Sequence, residues 1–340
     1  MQSDAYRAAG VDIDAGNRAV DLIRQAVQST YGPEVLAGIG AFGGLYDASR
    51  LQKVRAPVLV ASTDGVGTKT KIATALDRVD GLGEDIVNHC INDILVQGAR
   101  PLFFLDYVAS SRLEPEKVAR IVAGAAKACR AAGCALLGGE TAEMPGVYSP
   151  GEIDLVGTIV GWVERERIID GSTVVPGDLV LGLASSGLHT NGYSLARRVF
   201  AGIPWETVFP ELGLPLGEVL LVPHRSYLSA IEALWAGGVE IKAMAHITGG
   251  GFYENIPRVL PPGIGVRLER DAWPVPPIFR LIQQRGAIDE QEMYRVFNMG
   301  IGLVLLISPE QVARAREALP EIRIIGEAVA WTGSGPRVRW

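Results

Sequence analysis

A chain of 340 residues with 48% hydrophobic content is long enough for two domains of ordinary size, because a single hydrophobic core rarely grows past about 250–300 residues. A formal net charge of −6 without any basic block argues against a nucleic-acid or anionic-membrane surface, where clustered Lys and Arg would neutralise phosphates. Charges at Asp4, Arg7, Asp12 and Asp14 break the apolar run a secretory signal needs, and Lys127 and Arg130 interrupt the apolar stretch Ile121 to Leu137, so a cytoplasmic protein is expected.

In chain order, Asp14 is the expected cap of a helix reaching about Ser29, with Val20, Ile23 and Val27 on one face. A glycine-rich loop, Gly38 to Gly44, separates it from a buried strand at Pro57 to Thr63. The pattern then predicts a helix over Gly83 to Gly98, a strand over Leu102 to Ala109 and an alanine-rich helix over Pro115 to Ala132 stopped by Gly133. Short strands follow at Cys134 to Leu137 and at Ile153 to Val163.

The polar run Glu164 to Asp178, with Gly171, Pro176 and Gly177, is the expected boundary between domains 1–170 and 171–340. Beyond it come a strand at Leu179 to Ala184, helices at Gly192 to Phe200 and Ser226 to Trp235, and a stretch near Ile241 to Ile247. Ile301 to Ile307 and Ile322 to Val329 are the clearest later strands. Helices and strands mix without strict alternation, so the expected class is α+β, layered α/β, with two mixed-sheet domains. Cys90, Cys129 and Cys134 lack metal-ligand spacing and read as buried reduced thiols.

Gly38-Ile39-Gly40-Ala41-Phe42-Gly43 matches GxGxxG, but a Tyr31-Gly32-Pro33 turn precedes it where a dinucleotide fold needs a strand. A glycine loop that approaches phosphates through backbone N–H groups accounts for the same residues. Thr63-Asp64-Gly65-Val66-Gly67-Thr68-Lys69 follows an apolar strand and is not a Walker A loop, because Thr68 stands between glycine and lysine. Asp93 lies in an apolar helix, and Glu140 in Gly138-Gly139-Glu140-Thr141-Ala142-Glu143 ends a strand. Three carboxylates on core elements repel one another unless a divalent cation neutralises them, and magnesium, which keeps substrate phosphates among its ligands, suits such a set.

In the second half, Ser185-Ser186-Gly187-Leu188-His189-Thr190-Asn191-Gly192 and His246-Ile247-Thr248-Gly249-Gly250-Gly251 each follow an apolar run and precede an expected helix start, at Gly192 and Phe252. Each reads as an anion cradle for a phosphorylated substrate.

These segments, together with Gly10 to Asn17, Asn92 to Ala99 and Ile247 to Pro257, resemble the phosphoribosylformylglycinamidine cyclo-ligases, the aminoimidazole ribonucleotide synthetases, over nearly the whole chain. The resemblance implies a homodimer that uses ATP and Mg2+ to close the imidazole ring of formylglycinamidine ribonucleotide. It implies Asp64, Asp93 and Glu140 as metal-triphosphate ligands, with Gly40, Gly43, Gly65, Gly67, Thr68, Lys69 and Thr141 as nucleotide contacts in an ATP-binding and dimerisation domain. On the substrate side it implies Ser186, His189, Asn191, His246, Thr248, Gly249, Gly250 and Gly251, with His189 and Lys69 as the catalytic candidates. The first helix carries Arg24 and Gln28 where relatives often have lysines, so it receives no nucleotide role. Selenophosphate synthetases would show a Cys beside the first glycine loop, and no Cys precedes Cys90; hydrogenase-maturation relatives would end in Cys, and this chain ends in Trp340. Thiamine-phosphate kinases carry acidic residues in the loop where Ala41-Phe42 stands here.

Overall fold

The computed structural model describes residues 10–340, so the expected break of an amino-terminal signal by Asp4 and Arg7 lies outside the described residues. The chain divides into two compact units, one ending at Ile94 and resuming over Ala99–Glu166, the other formed by Leu95–Gly98 and Arg167–Trp340.

The first unit opens with α1 (Ile13–Gln28), which buries Ala19, Ile23 and Val27. Its cap is Asp12 rather than Asp14: the Asp12 carboxylate accepts from the backbone N–H groups of Asp14 and Ala15, and Asp14 adds negative charge to the first turn. A small antiparallel pair, β1 (Val35–Ala37) and β2 (Leu45–Tyr46), brackets the first glycine loop. Next come β3 (Pro57–Gly65), α2 (Lys69–Ala75), α3 (Asp80–Leu95), β4 (Arg100–Ser110), α4 (Pro115–Ala132), β5 (Ala135–Glu143) and β6 (Ile153–Glu164).

These strands form one sheet in the order β3-β6-β4-β5, in which only β4 and β5 run parallel. Strand β3 has exposed residues at Pro57, Leu59, Ala61 and Thr63, while Val58, Val60, Ser62 and Asp64 are partly covered. That period of two puts Asp64 on the face turned to α3. Two rows cross the sheet at this level. Asp64, Gly157, Asp106 and Gly139 are in register on one face, and Gly65, Val156, Tyr107 and Glu140 on the other.

The second unit contains β7 (Leu179–Ala184), α5 (Tyr193–Val199), α6 (Leu216–Leu220), α7 (Leu228–Ala236), β8 (Ala243–His246), α8 (Gly251–Asn255) and β9 (Ile264–Leu268). It continues with α9 (Pro277–Gly286), α10 (Glu290–Val296), β10 (Ile301–Ile307), α11 (Val312–Ala318), β11 (Arg323–Ala330) and β12 (Val338–Arg339). The sheet order is β12-β9-β11-β7-β10-β8. Strand β10 is buried at every residue, as an unbroken Ile-Gly-Leu-Val-Leu-Leu-Ile run between two neighbours requires. Because β7 and β8 are both antiparallel to β10, they run parallel to each other. Their carboxyl ends therefore open on the same sheet edge, where β10 begins. This topology brings together two loops that are far apart in the chain.

Candidate active site

Asp64 and Asp93 converge in the first unit. Ser62 Oγ donates to Asp93 Oδ2 at 3.1 Å, while His89 Nε2 lies 3.0 Å from Asp64 Oδ2 and 3.6 Å from Asp93 Oδ2. His89 and Asp93 are one helical turn apart on α3, so one face of that helix presents both to the end of β3. Burial alone would favour the neutral His89 ring, but the hydrogen bond to Asp64 and the charges of Asp93, Asp64 and Asp85 hold its pKa above the usual imidazole value. Two carboxylates that both approach His89 Nε2 form an oxygen-rich pair of the kind magnesium takes beside a triphosphate.

Glu140 is not brought to that pair. Its register row stands on the opposite sheet face, and three inter-strand spacings of roughly 4.8 Å, about 14 Å in all, separate β5 from β3. The turn expected after Leu137 is absent: β5 runs on to Glu143, with Gly139 packed so closely on Asp106 that a methyl group would overlap the Asp106 carboxylate and carbonyl.

Lys69 departs from its expected role in another way. Its side chain is 0% exposed, and its ammonium donates to Asp85 at 2.8 Å inside the unit. Burial lowers the Lys69 pKa, and the charge and hydrogen bond of Asp85 oppose that effect. This ion pair places Lys69 in the interior of the first unit rather than at a phosphate-facing surface. Gly65 closes β3, with its N–H on Asp64 Oδ1, and Gly67 takes φ 69 in the link to α2, whose first residues follow Thr68. Thr141 follows Glu140 on β5. Gly40, with φ 97, and Gly43 lie in the loop between β1 and β2, whose tip residue Phe42 is fully exposed. No helix opens after that loop, which removes the dinucleotide-fold reading. Cys90 is buried and donates to the Gly157 carbonyl, and burial pushes its pKa well up, so no reactive pair forms with the adjacent His89.

In the second unit the two loops meet as the sheet topology requires. Asn191 Oδ1 approaches Gly249, linking the loop after β7 to the loop after β8. His189 holds a left-handed backbone at φ 62, a conformation rare outside glycine and concentrated at functional sites. Its Nε2 accepts from Ser186 N at 3.1 Å, while Ser186 Oγ donates to the Pro223 carbonyl at 2.7 Å. A methyl group at Gly302 would strike both Tyr227 and His189, so β10 needs glycine there to admit the imidazole.

The helices after these loops are too short to act as anion-binding termini. α5 has seven residues and α8 five, so the expected cradles depend on the loops themselves. Asn255 sets the shape of the second loop: its Nδ2 donates to the carbonyls of Thr248, Gly249 and Gly251 at 3.3, 3.1 and 2.8 Å. Asn298 does the same for the first, accepting from Ser185 Oγ and donating to the Gly187 carbonyl. Sequence reasoning missed Asn255, Asn298, His89 and His224. His89 alone carried a usable signal, standing four residues before Asp93.

Residues 47–163 match the family described as AIR synthase related protein, N-terminal domain, and residues 175–339 match its C-terminal domain. A phosphoribosylformylglycinamidine cyclo-ligase of Geobacillus thermodenitrificans is 55% identical over 336 residues, covering 97% of this chain and 96% of the relative. The chain belongs to the phosphoribosylformylglycinamidine cyclo-ligase family. A further cyclo-ligase, from Desulfitobacterium hafniense, is 56% identical over 308 residues and covers 91% of this chain and 90% of its own. The cyclo-ligase chain also shares its fold with HypE, a hydrogenase maturation protein solved in complex with ATP, at TM-score 0.65 and 19% identity, covering 92% of this chain and 86% of that one. Thiamine-monophosphate kinase from Stenotrophomonas maltophilia aligns at TM-score 0.63 and 17% identity over 95% of each chain. At such identities the likeness is one of fold.

Proposed function

We propose that the first unit binds ATP and the second binds formylglycinamidine ribonucleotide through the loops after β7 and β8. The chain is an ATP-dependent cyclo-ligase of purine biosynthesis, forming aminoimidazole ribonucleotide, ADP and phosphate. The observation that carries the substrate assignment is the opening of the loops after β7 and β8 at one sheet edge, where Asn191 approaches Gly249.

An amide-like oxygen is a poor leaving group. The formyl oxygen therefore takes the γ-phosphoryl group, the bond to ADP breaks, the amidine nitrogen attacks the formyl carbon, and phosphate departs as the ring closes. Asp64 and Asp93 fit a magnesium ion, which when bound neutralises phosphate charge. Lys69 serves as a buried support for this unit. Gly65, Gly67, Thr68 and Thr141, with the Gly40 and Gly43 loop, are assigned to the nucleotide. On the substrate side the Gly249 to Gly251 loop and Thr248 orient the ribose phosphate, Asn191 and Ser186 orient the amidine arm, and His246 completes the wall. His189 accepts the proton lost from the ring-closing nitrogen: because Nε2 accepts from the Ser186 N–H, the neutral ring carries its hydrogen on Nδ1, and the incoming proton is taken at Nε2 as the Ser186 contact is released.

We also assign the chain to the cytoplasm and to a homodimer. No helix among the described residues is long and apolar enough to cross a membrane. Strand β3 is a nine-residue sheet edge with Leu59 64% exposed, a surface that a second copy would cover. Glu140, turned away from Asp64 in its own unit, joins the metal site only if the partner supplies it.

The decisive experiment measures phosphate release with and without formylglycinamidine ribonucleotide. Release is expected to depend on that substrate and to fall about 10²–10⁴-fold in His189→Ala. Equal release without substrate, or full turnover by His189→Ala, would overturn the assignment.

A further inference from the structure

Three of the four histidines in the chain, His189, His224 and His246, lie together in the second unit, all buried. The His189 and His224 rings stack with centroids 3.9 Å apart at 21°, and His224 Nε2 lies 3.0 Å from His246 Nε2. On its other side, His224 Nδ1 lies 3.3 Å from Thr190 Oγ1. Three nitrogens this close suggest a metal site, but the stacking speaks against one. Imidazole lone pairs lie in the ring plane, so stacked rings direct them side by side and not at a common point. His189 Nε2 is moreover already occupied by the Ser186 N–H.

The arrangement instead makes His224 the link between the two substrate loops. We infer that His224 is a positioning residue for ring closure: its face fixes the His189 imidazole and its Nε2 sets the tautomer of His246. This inference rests on placing His189 and His246 on the substrate side. Two N–H groups cannot face each other at 3.0 Å, so one of the two Nε2 atoms carries a hydrogen and the other presents its lone pair. If the Thr190 hydroxyl donates to His224 Nδ1, His224 Nε2–H donates to His246, which then carries its hydrogen on Nδ1. If His224 Nδ1–H donates to Thr190, the order reverses. In either case one hydrogen-bonded chain selects a single tautomer of a ring beside the Thr248 to Gly251 loop. The stack addresses a second need: His189 occupies a left-handed backbone conformation, and packing between His224 and the space left by Gly302 holds its ring there.

Three substitutions separate these contributions. His224→Phe keeps a stacking face and removes both hydrogen bonds; His224→Gln keeps a donor or acceptor near the Nε2 position; His224→Asn keeps one near Nδ1 only. Each is assayed for kcat, for KM toward formylglycinamidine ribonucleotide and toward ATP, and for Tm. His224→Phe is expected to lose about tenfold or more in kcat, less than a direct acid–base group would cost, with KM for ATP and Tm near wild type. His224→Gln is expected to recover most of that loss and His224→Asn little of it. With only four histidines, 15N-histidine labelling resolves each ring, and the His246 nitrogens are expected to change from one tautomer to a mixture in His224→Phe. Wild-type turnover in His224→Phe, an unchanged His246 tautomer, or losses that track Tm across all three variants would overturn the inference. Should His224→Phe fail to fold, the contrast between Gln and Asn decides alone, equal activities counting against it. His189→Ala run in parallel separates the two layers. If it turns over fully, the substrate-side assignment fails. If it is inactive while His224→Phe matches wild type, only the role of His224 fails.

Discussion

Lys69 shows how a local motif can mislead when its decisive partner lies elsewhere. Thr63 to Lys69 has the carboxylate, glycines and cation of a phosphate loop, and nothing in those seven residues reveals that the ammonium turns inward. The partner, Asp85, stands sixteen residues on in another helix, and both side chains have no exposed surface. Removing one member of a fully buried ion pair leaves the other charge in a poor dielectric, which costs about 3–5 kcal/mol. Lys69→Met is therefore expected to shift the urea midpoint strongly downward, and Lys69→Met combined with Asp85→Leu to recover much of the loss. A single variant that unfolds at the wild-type denaturant concentration would return Lys69 to the nucleotide side. Asp64, Asp93 and His189 stand out in the sequence as candidates because each lies in or just after a recognisable apolar element. His224, in Pro223-His224-Arg225, has no flanking pattern, and only the fold sets it between His189 and His246.

At the scale of elements, the apolar periodicities of α3, α4, β6 and β10 place these elements to within a few residues, since each buries a continuous face. Gly138-Gly139 reads as a turn and so ends the expected strand at Leu137, whereas β5 runs on to Glu143. The physical reason for Gly139 is its neighbour in the adjacent strand: Asp106 needs the volume a side chain would fill. Burial also raises the Asp106 pKa from 3.8 to about 7, with its backbone hydrogen bond pulling the other way. The folded chain thus binds this proton more tightly than the unfolded chain does. The stabilisation is complete below the unfolded value and is lost as pH rises toward about 7. Asp106→Asn, which stays neutral, is expected to flatten that part of the stability profile. Its Tm should exceed wild type by a few degrees at pH 7.5 and match it near pH 4, as differential scanning calorimetry would show. Parallel profiles for the two proteins would show that Asp106 titrates as an ordinary carboxylate.

At the scale of the whole molecule, the polar run 164–178 marks where one apolar pattern stops and another starts, and the compact units part at Glu166 and Arg167 within it. The inclusion of Leu95–Gly98 in the second unit could not be read in the same way, because that segment continues the apolar pattern of α3. Nor could sequence order reveal that Glu140 and Asp64 occupy opposite faces of one sheet, since that depends on the order β3-β6-β4-β5. This separation gives the homodimer a sharp test. If each metal site takes Asp64 from one chain and Glu140 from the other, Asp64→Asn and Glu140→Gln homodimers are both inactive, yet their co-expressed heterodimer holds one intact site and one doubly altered site. Random pairing of two equally expressed chains makes about half the dimers mixed, so activity is expected to return to about one quarter of wild type. If both carboxylates served the same site from one chain, every site in the mixture would lack one of them and no activity would return. Differently tagged chains purified for the mixed dimer alone raise the expected recovery to about one half, a twofold change that distinguishes complementation from residual activity in either parent.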